Sequence, residues 1–177
     1  MDSIELLLDE GSEQFILREW EALQAAGLPS RASHRSPHNR PHITLVAAPA
    51  ITGNRDEQTG AGLNLPLAFT CGGMLLFNAG RKGYVLARQV ICTAELLMLH
   101  RGVHDAGAVA GAAHTSLPGR WIPHITLANA VPGEQLAAAL DVVGAPMPEG
   151  SVVEARRWDS QAKTITSLAH LTNATSG

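Results

Sequence analysis

The chain has 177 residues, 45% of them apolar, and a formal net charge of −3, which is the composition of one ordinary globular domain with a sizeable core. Thirteen Lys and Arg against sixteen Asp and Glu exclude a general nucleic-acid coater, because non-specific phosphate binding needs a broad basic surface. Two cysteines, Cys71 and Cys92, are too few for a disulfide framework and fit free thiols in a reducing compartment.

Taken in order, the chain opens with Asp2, Glu5, Asp9 and Glu10 and no positive run, so its start does not read as a secretory signal. No apolar stretch approaches membrane-spanning length, and a cytoplasmic protein with no membrane partner is expected. Ile4 to Leu8 reads as a central strand. A helix follows, capped by Ser12, with Ile16, Trp20 and Leu23 at helical spacing, Gly27 as the stop and Pro29 beyond it. Pro29 to Pro41 reads as a loop that holds Arg31, Arg35 and Arg40, with His34 and His38, and no acid. Its arginines read either as a phosphate or RNA-backbone guide or as an ordinary solvated loop. Arg40 lies two residues before His42, shares its face and is a candidate substrate-binding residue. His34 and His38 have metal-ligand spacing only on a helix, and Pro37 and Pro41 argue against one.

After a first strand from Pro41, Asn54 to Asn64 is a polar loop or short helix. Leu65 to Phe77 reads as a strand with a bulge at Gly72-Gly73. A turn at Asn78 to Gly83 leads to the hairpin partner Tyr84 to Val90. Thr93 to about Ala106 reads as a helix with Leu96, Leu97, Leu99 and Val103 as its apolar stripe. His100 and His104 share one side of that helix, but no third ligand stands nearby, so packed or surface histidines are expected and no metal site. Ala106 to Pro118 is Gly/Ala-rich and reads as a flexible link between halves. Trp121 reads first as core packing, with packing at the edge of a cleft or stacking on a base as the functional readings, and is the second candidate for substrate binding. Pro132 opens a helix to about Val143, and Ser151 to Trp158 with Thr164 to Leu171 forms a second hairpin.

One pentapeptide occurs twice: Pro41-His42-Ile43-Thr44-Leu45 and Pro123-His124-Ile125-Thr126-Leu127. Each copy reads as the start of a buried strand, and alternation puts His42 with Thr44, and His124 with Thr126, on one face. Two imidazoles facing one phosphate are what a metal-free phosphodiester displacement needs. A neutral ring takes the proton of the attacking oxygen and a charged ring protonates the leaving oxygen. Histidine serves both roles because its ordinary pKa lies near 6.5. The threonine hydroxyls would hold the non-bridging oxygens. A lone histidine on a strand would more often be an ordinary half-buried side chain; the second copy, 124 − 42 = 82 residues on, changes that weighting.

These residues resemble the two-histidine (2H) phosphoesterases, the group of the 2′-5′ RNA ligase-like proteins and RNA 2′,3′-cyclic phosphodiesterases. Both copies match the family's His-x-Thr/Ser pattern. The similarity extends over nearly the whole chain through the helix ending Leu23-Gln24-Ala25-Ala26-Gly27-Leu28, the run Arg40 to Leu45 and the run Trp121 to Leu127. The resemblance implies an α+β, bilobal duplicated unit spanning residues 1–177 as a single domain. Each lobe would have an antiparallel-rich sheet with helices outside, and a central cleft would hold His42, Thr44, His124 and Thr126. It further implies a monomeric, metal-independent and cofactor-free phosphodiesterase acting on an RNA end or nucleotide with a 2′,3′-cyclic or 2′-linked phosphate, and 2′-5′ ligation as the reverse reaction. The alternatives are a hydrolase of another small 2′-linked phosphodiester, such as cyclic ADP-ribose phosphate or 2′-5′ oligoadenylate, and a nucleotide- or RNA-binding module without turnover.

Overall fold

The computed structural model describes residues 1–52, 56–106, 109–147 and 149–170. Its strands are β1 (Asp2–Leu8), β2 (His42–Ala48), β3 (Ala50–Ile51), β4 (Leu67–Phe69), β5 (Cys71–Asn78), β6 (Tyr84–Val90), β7 (Val109–Ala110), β8 (His124–Val131), β9 (Gly150–Asp159) and β10 (Thr164–His170). Its helices are α1 (Glu10–Ala25), α2 (Asp56–Ala61), α3 (Ala94–Asp105) and α4 (Leu136–Val142). Eight strands form one antiparallel sheet in the order β10-β9-β1-β2-β8-β6-β5, with β4 added alongside β9; β3 and β7 make a separate two-stranded ribbon. The fold is thus α+β with an antiparallel sheet, as expected, but the sheets of the two lobes are continuous through β2 and β8.

That junction is narrow. β1 and β2 pair from Asp2 opposite Ala48 to Leu7 opposite His42, whereas β2 and β8 share one register pair, Ile43 opposite Ile125. The hairpins are exchanged about this point. The first-half hairpin β5–β6 pairs with the second-half strand β8, and the second-half hairpin β9–β10 pairs with β1. Gly83 permits the first exchange: it adopts φ +91°, and a Cβ there would collide with the Val131 carbonyl on β8.

One face of the sheet is the core. Ile4, Leu6, Ile43, Leu45, Ile125 and Leu127 are each 1% exposed or less and join Ile16, Trp20 and Leu23 of α1 and Leu96, Leu99 and Val103 of α3 in one cluster. The helix patterns hold with small corrections. Asp9, rather than Ser12, caps α1 by accepting from the Ser12 backbone N–H at 2.9 Å. On α3, Leu97 leaves the apolar stripe and stands exposed. The strand expected over Leu65 to Phe77 divides at Thr70 into β4 and β5, which have different partners. The irregularity between Cys71 and Met74 is the expected bulge. The expected link at 106–118 carries β7 and a 3₁₀ turn, His114–Ser116, in its described part; residues 107 and 108 lie outside the described residues, as do Asn54 and Leu171 of other expected segments. Cys71 is half-buried, and burial pushes its thiol up to about 11, while Cys92 is exposed. Among the described residues no helix is long and apolar enough to cross a membrane.

Candidate active site

With Ile43 and Ile125 turned into the core, the strand alternation turns His42, Thr44, His124 and Thr126 to the opposite face. The antiparallel register about the Ile43/Ile125 pair carries His42 towards Thr126 and Thr44 towards His124. Two depressions follow this diagonal: one is lined by His42 and Thr126 with Trp20, Arg31 and Asn129, the other by His124 and Thr44 with Phe77 and Trp121.

Both rings are held the same way. His42 Nδ1 lies 2.7 Å from the Arg40 carbonyl, and His124 Nδ1 lies 2.8 Å from the Ile122 carbonyl. A carbonyl only accepts, so each Nδ1 carries the hydrogen and each Nε2 is left for exchange with a ligand. The threonines are held reciprocally. The Trp20 indole donates to the Thr126 carbonyl at 3.0 Å, and the Trp121 indole donates to the Thr44 carbonyl at 2.9 Å.

The surroundings of the two rings differ. Glu5 on β1 places Oε1 3.6 Å from His42 Nε2. Burial by itself would raise the Glu5 carboxyl, but the neighbouring His42 and Arg156 charges, with hydrogen bonds from Ser3 and Arg156, hold it below its ordinary value. His124 has Phe77 against it, ring centroids 4.7 Å apart. Burial, with the positive charge of His42 nearby, lowers the His124 pKa despite the Ile122 bond.

Arg40 and Trp121 both lie beside the motifs. The Arg40 guanidinium forms a two-pronged pair with Glu13, at 2.8 and 2.6 Å, and approaches Glu154 at 3.9 Å; what it gives His42 is its backbone carbonyl. Trp121 stacks on His100 with centroids 4.2 Å apart and planes 7° from parallel. His100 and His104, the spaced pair on α3, both aim Nε2 at the Ser116 carbonyl, at 2.9 and 2.8 Å. Among the described residues no three His, Cys, Asp or Glu side chains are grouped as metal ligands.

Three residues were less visible in the sequence. Trp20 falls on the apolar stripe of α1, which hides the use of its indole N–H. Glu5 is the one acid in the expected strand Ile4 to Leu8, whose other residues are apolar, and that is a legible signal, since a buried carboxylate requires a partner. Arg31, rather than Arg40, is the loop arginine that lines the depressions around His42.

A curled antiparallel sheet that sets two His-x-Thr strands side by side on one face defines the two-histidine class of phosphoesterases. The chain belongs to the 2′-5′ RNA ligase superfamily, whose model matches residues 12–171. Its fold is similar to that of Usb1 of Kluyveromyces marxianus, with a TM-score of 0.53 at 13% identity, covering 96% of this chain and 97% of that one. It is similar also to a solved phosphoesterase, with a TM-score of 0.53 at 14% identity, covering 97% and 94%. No curated protein sequence matches the chain. Membership of this superfamily makes the protein an enzyme of phosphodiester chemistry.

Proposed function

We propose that the protein is a metal-independent phosphodiesterase that opens 2′,3′-cyclic phosphates at the end of RNA or on nucleotides, with His42 and His124 as its acid–base pair. The observation that supports this most directly is the matched pair of rings, each with Nδ1–H tied to the carbonyl two residues back and Nε2 left for chemistry. His124, whose pKa burial holds low, is neutral at pH 7 and takes the proton from the attacking water. His42, with the Glu5 carboxylate 3.6 Å from its Nε2, is the acid and delivers a proton to the departing ribose oxygen. The Thr44 and Thr126 hydroxyls position the non-bridging oxygens and stabilise their charge. The reaction cleaves one P–O bond of the ring and forms one to water, leaving a phosphomonoester. With a ribose 5′-hydroxyl in place of water as the attacking group, the same two proton transfers break one ring P–O bond, free one ribose hydroxyl and form a phosphodiester.

The test is hydrolysis of the four nucleoside 2′,3′-cyclic monophosphates and of a short RNA ending in a cyclic phosphate, with EDTA present. Loss of one proton-transfer group costs about 10²- to 10⁴-fold in rate, so His42→Ala and His124→Ala should each fall by that order. Activity abolished by EDTA in the wild type, or retained by either variant, would overturn the mechanism.

A further inference from the structure

A separate depression adjoins His42 on the side of β9, enclosing about 120 Å³ between the loop over residues 30–40 and the strand. The β1–β9 register puts Ser3 opposite Trp158 and Glu5 opposite Arg156, so Trp158, Arg156, Glu5 and His42 share one face of the sheet.

The charges in this depression do not cancel. Arg156 pairs with Glu5 at 2.8 Å and also donates to the His38 carbonyl at 2.9 Å, which neutralises the one carboxylate that lines the space among the described residues. Arg31 remains. It donates to the neutral Asn39 side chain at 2.7 Å and, among the described residues, has no carboxylate within ion-pair distance. It borders both this depression and the one holding His42 and Thr126. His34 and His38 also face the space. A guanidinium lacking a carboxylate, set between two depressions, suits a phosphate. Trp158 is half-buried here, with His38 tilted against it at 5.5 Å and Lys163 Nζ 5.8 Å from its ring centre. An indole and an imidazole at the wall of a cationic depression are a stacking surface for a base.

The depression at the other histidine is different in kind. It is lined by Phe77, Val85, Trp121 and Ile122 and, among the described residues, by no Lys, Arg, Asp or Glu. A charged continuation of the substrate is therefore accommodated beside His42 and not beside His124.

Resting on the phosphodiesterase reading, we propose that the β9 depression is a second nucleotide subsite. It takes the phosphate that joins the reacting nucleotide to its neighbour on Arg31, and the neighbour's base against Trp158 and His38. The substrate is then an oligonucleotide end rather than a mononucleotide.

The experiment compares kcat/KM for cyclic-phosphate-terminated mono-, di- and trinucleotides in EDTA. Stacking one base and seating one phosphate should favour the dinucleotide over the mononucleotide by about tenfold or more, chiefly through KM, with little further gain for the trinucleotide. In Trp158→Leu and Arg31→Gln that ratio should fall to within about twofold, while Trp158→Phe, which keeps an aromatic face, retains most of it. Thermal melts identify any variant that fails to fold, and the remaining variants carry the comparison. Equal use of mono- and dinucleotide by the wild type, or a preference that survives both Trp158→Leu and Arg31→Gln, overturns the subsite. Equilibrium binding of a dinucleotide and a mononucleotide ending in a 3′-phosphate, read by tryptophan fluorescence, separates the two ideas. A binding preference without hydrolysis of any cyclic phosphate sustains the subsite and sinks the proposed reaction; hydrolysis without a preference does the reverse.

Discussion

The carbonyl two residues before each histidine fixes which nitrogen carries hydrogen, and so what the ring is able to do. Because burial lowers the His124 pKa, the acidic limb of a bell-shaped kcat/KM profile should lie below the ordinary imidazole value of about 6.5. A limb at or above that value would show that His124 is not the base. The two indole bonds make a second prediction. Trp20→Phe and Trp121→Phe each remove one hydrogen bond to a threonine carbonyl, which should cost about 1 kcal/mol of stability. Their rates should drop well beyond what that loss explains, since the freed carbonyl belongs to a residue of the reacting strand. Melting curves and rates measured on the same preparations check this, and unaltered rates in both would refute it. At this scale the motif itself was legible, because a repeated His-x-Thr needs no knowledge of distant partners. The pairing of the loop arginines was not. Which arginine meets the acids Glu13 and Glu154 depends on how α1 and β9 pack around the loop.

Three carboxylates on or just after β1 tie that element to others. Asp2 accepts from the Ser160 and Ile51 backbone N–H groups, Glu5 from Arg156, and Asp9 from the Ser12 and Ser151 N–H groups. In each, burial would raise the pKa and is outweighed by these partners, so all three titrate below their ordinary values in the folded chain. A lowered folded pKa means that the unfolded chain binds more protons on acidification. The stability they supply is complete above the ordinary carboxylate range near pH 4 and is lost as the pH falls through the lowered values. Glu19, which burial raises despite its buried pair with Arg88, acts in the opposite direction and offsets part of this. His100 and His124, whose pKa values burial lowers, add a loss that begins below about pH 6.5, so the melting temperature should decline gently from about pH 7 to 5 and fall steeply below about pH 4. Calorimetry across that range decides it, and a level melting temperature down to pH 3 would contradict it. The helices and both hairpins were legible from periodicity and turn residues. The break at Thr70 was not, since β4 leaves β5 to join a strand some 80 residues away, Ala68 lying opposite Ser151.

For the whole molecule, the exchange of hairpins means that neither half owns its own sheet. β2 needs β1, which needs β9; β8 needs β6. The sequence reads as a His strand, a helix and a hairpin in each half, but that order does not say which strands of the two halves pair. Fragments 1–106 and 107–177 made separately should therefore show no cooperative melt, while the two produced together should regain one, along with cyclic-phosphate hydrolysis. A cooperative transition in either fragment alone would count against the exchange as a requirement for folding.

The pairing of Ser3 with Trp158 has a consequence in time as well as in space. Their separation is 158 − 3 = 155 residues, and at ribosomal speeds of about 5–20 residues per second β1 waits roughly 8–30 s for its neighbour. Through that interval Ile4, Leu6, Leu7 and Leu8 are out of the tunnel with one flank uncovered. Pairing of β1 with β9 waits on the synthesis of everything between them, and until then that edge of β1 is open to wrong pairing.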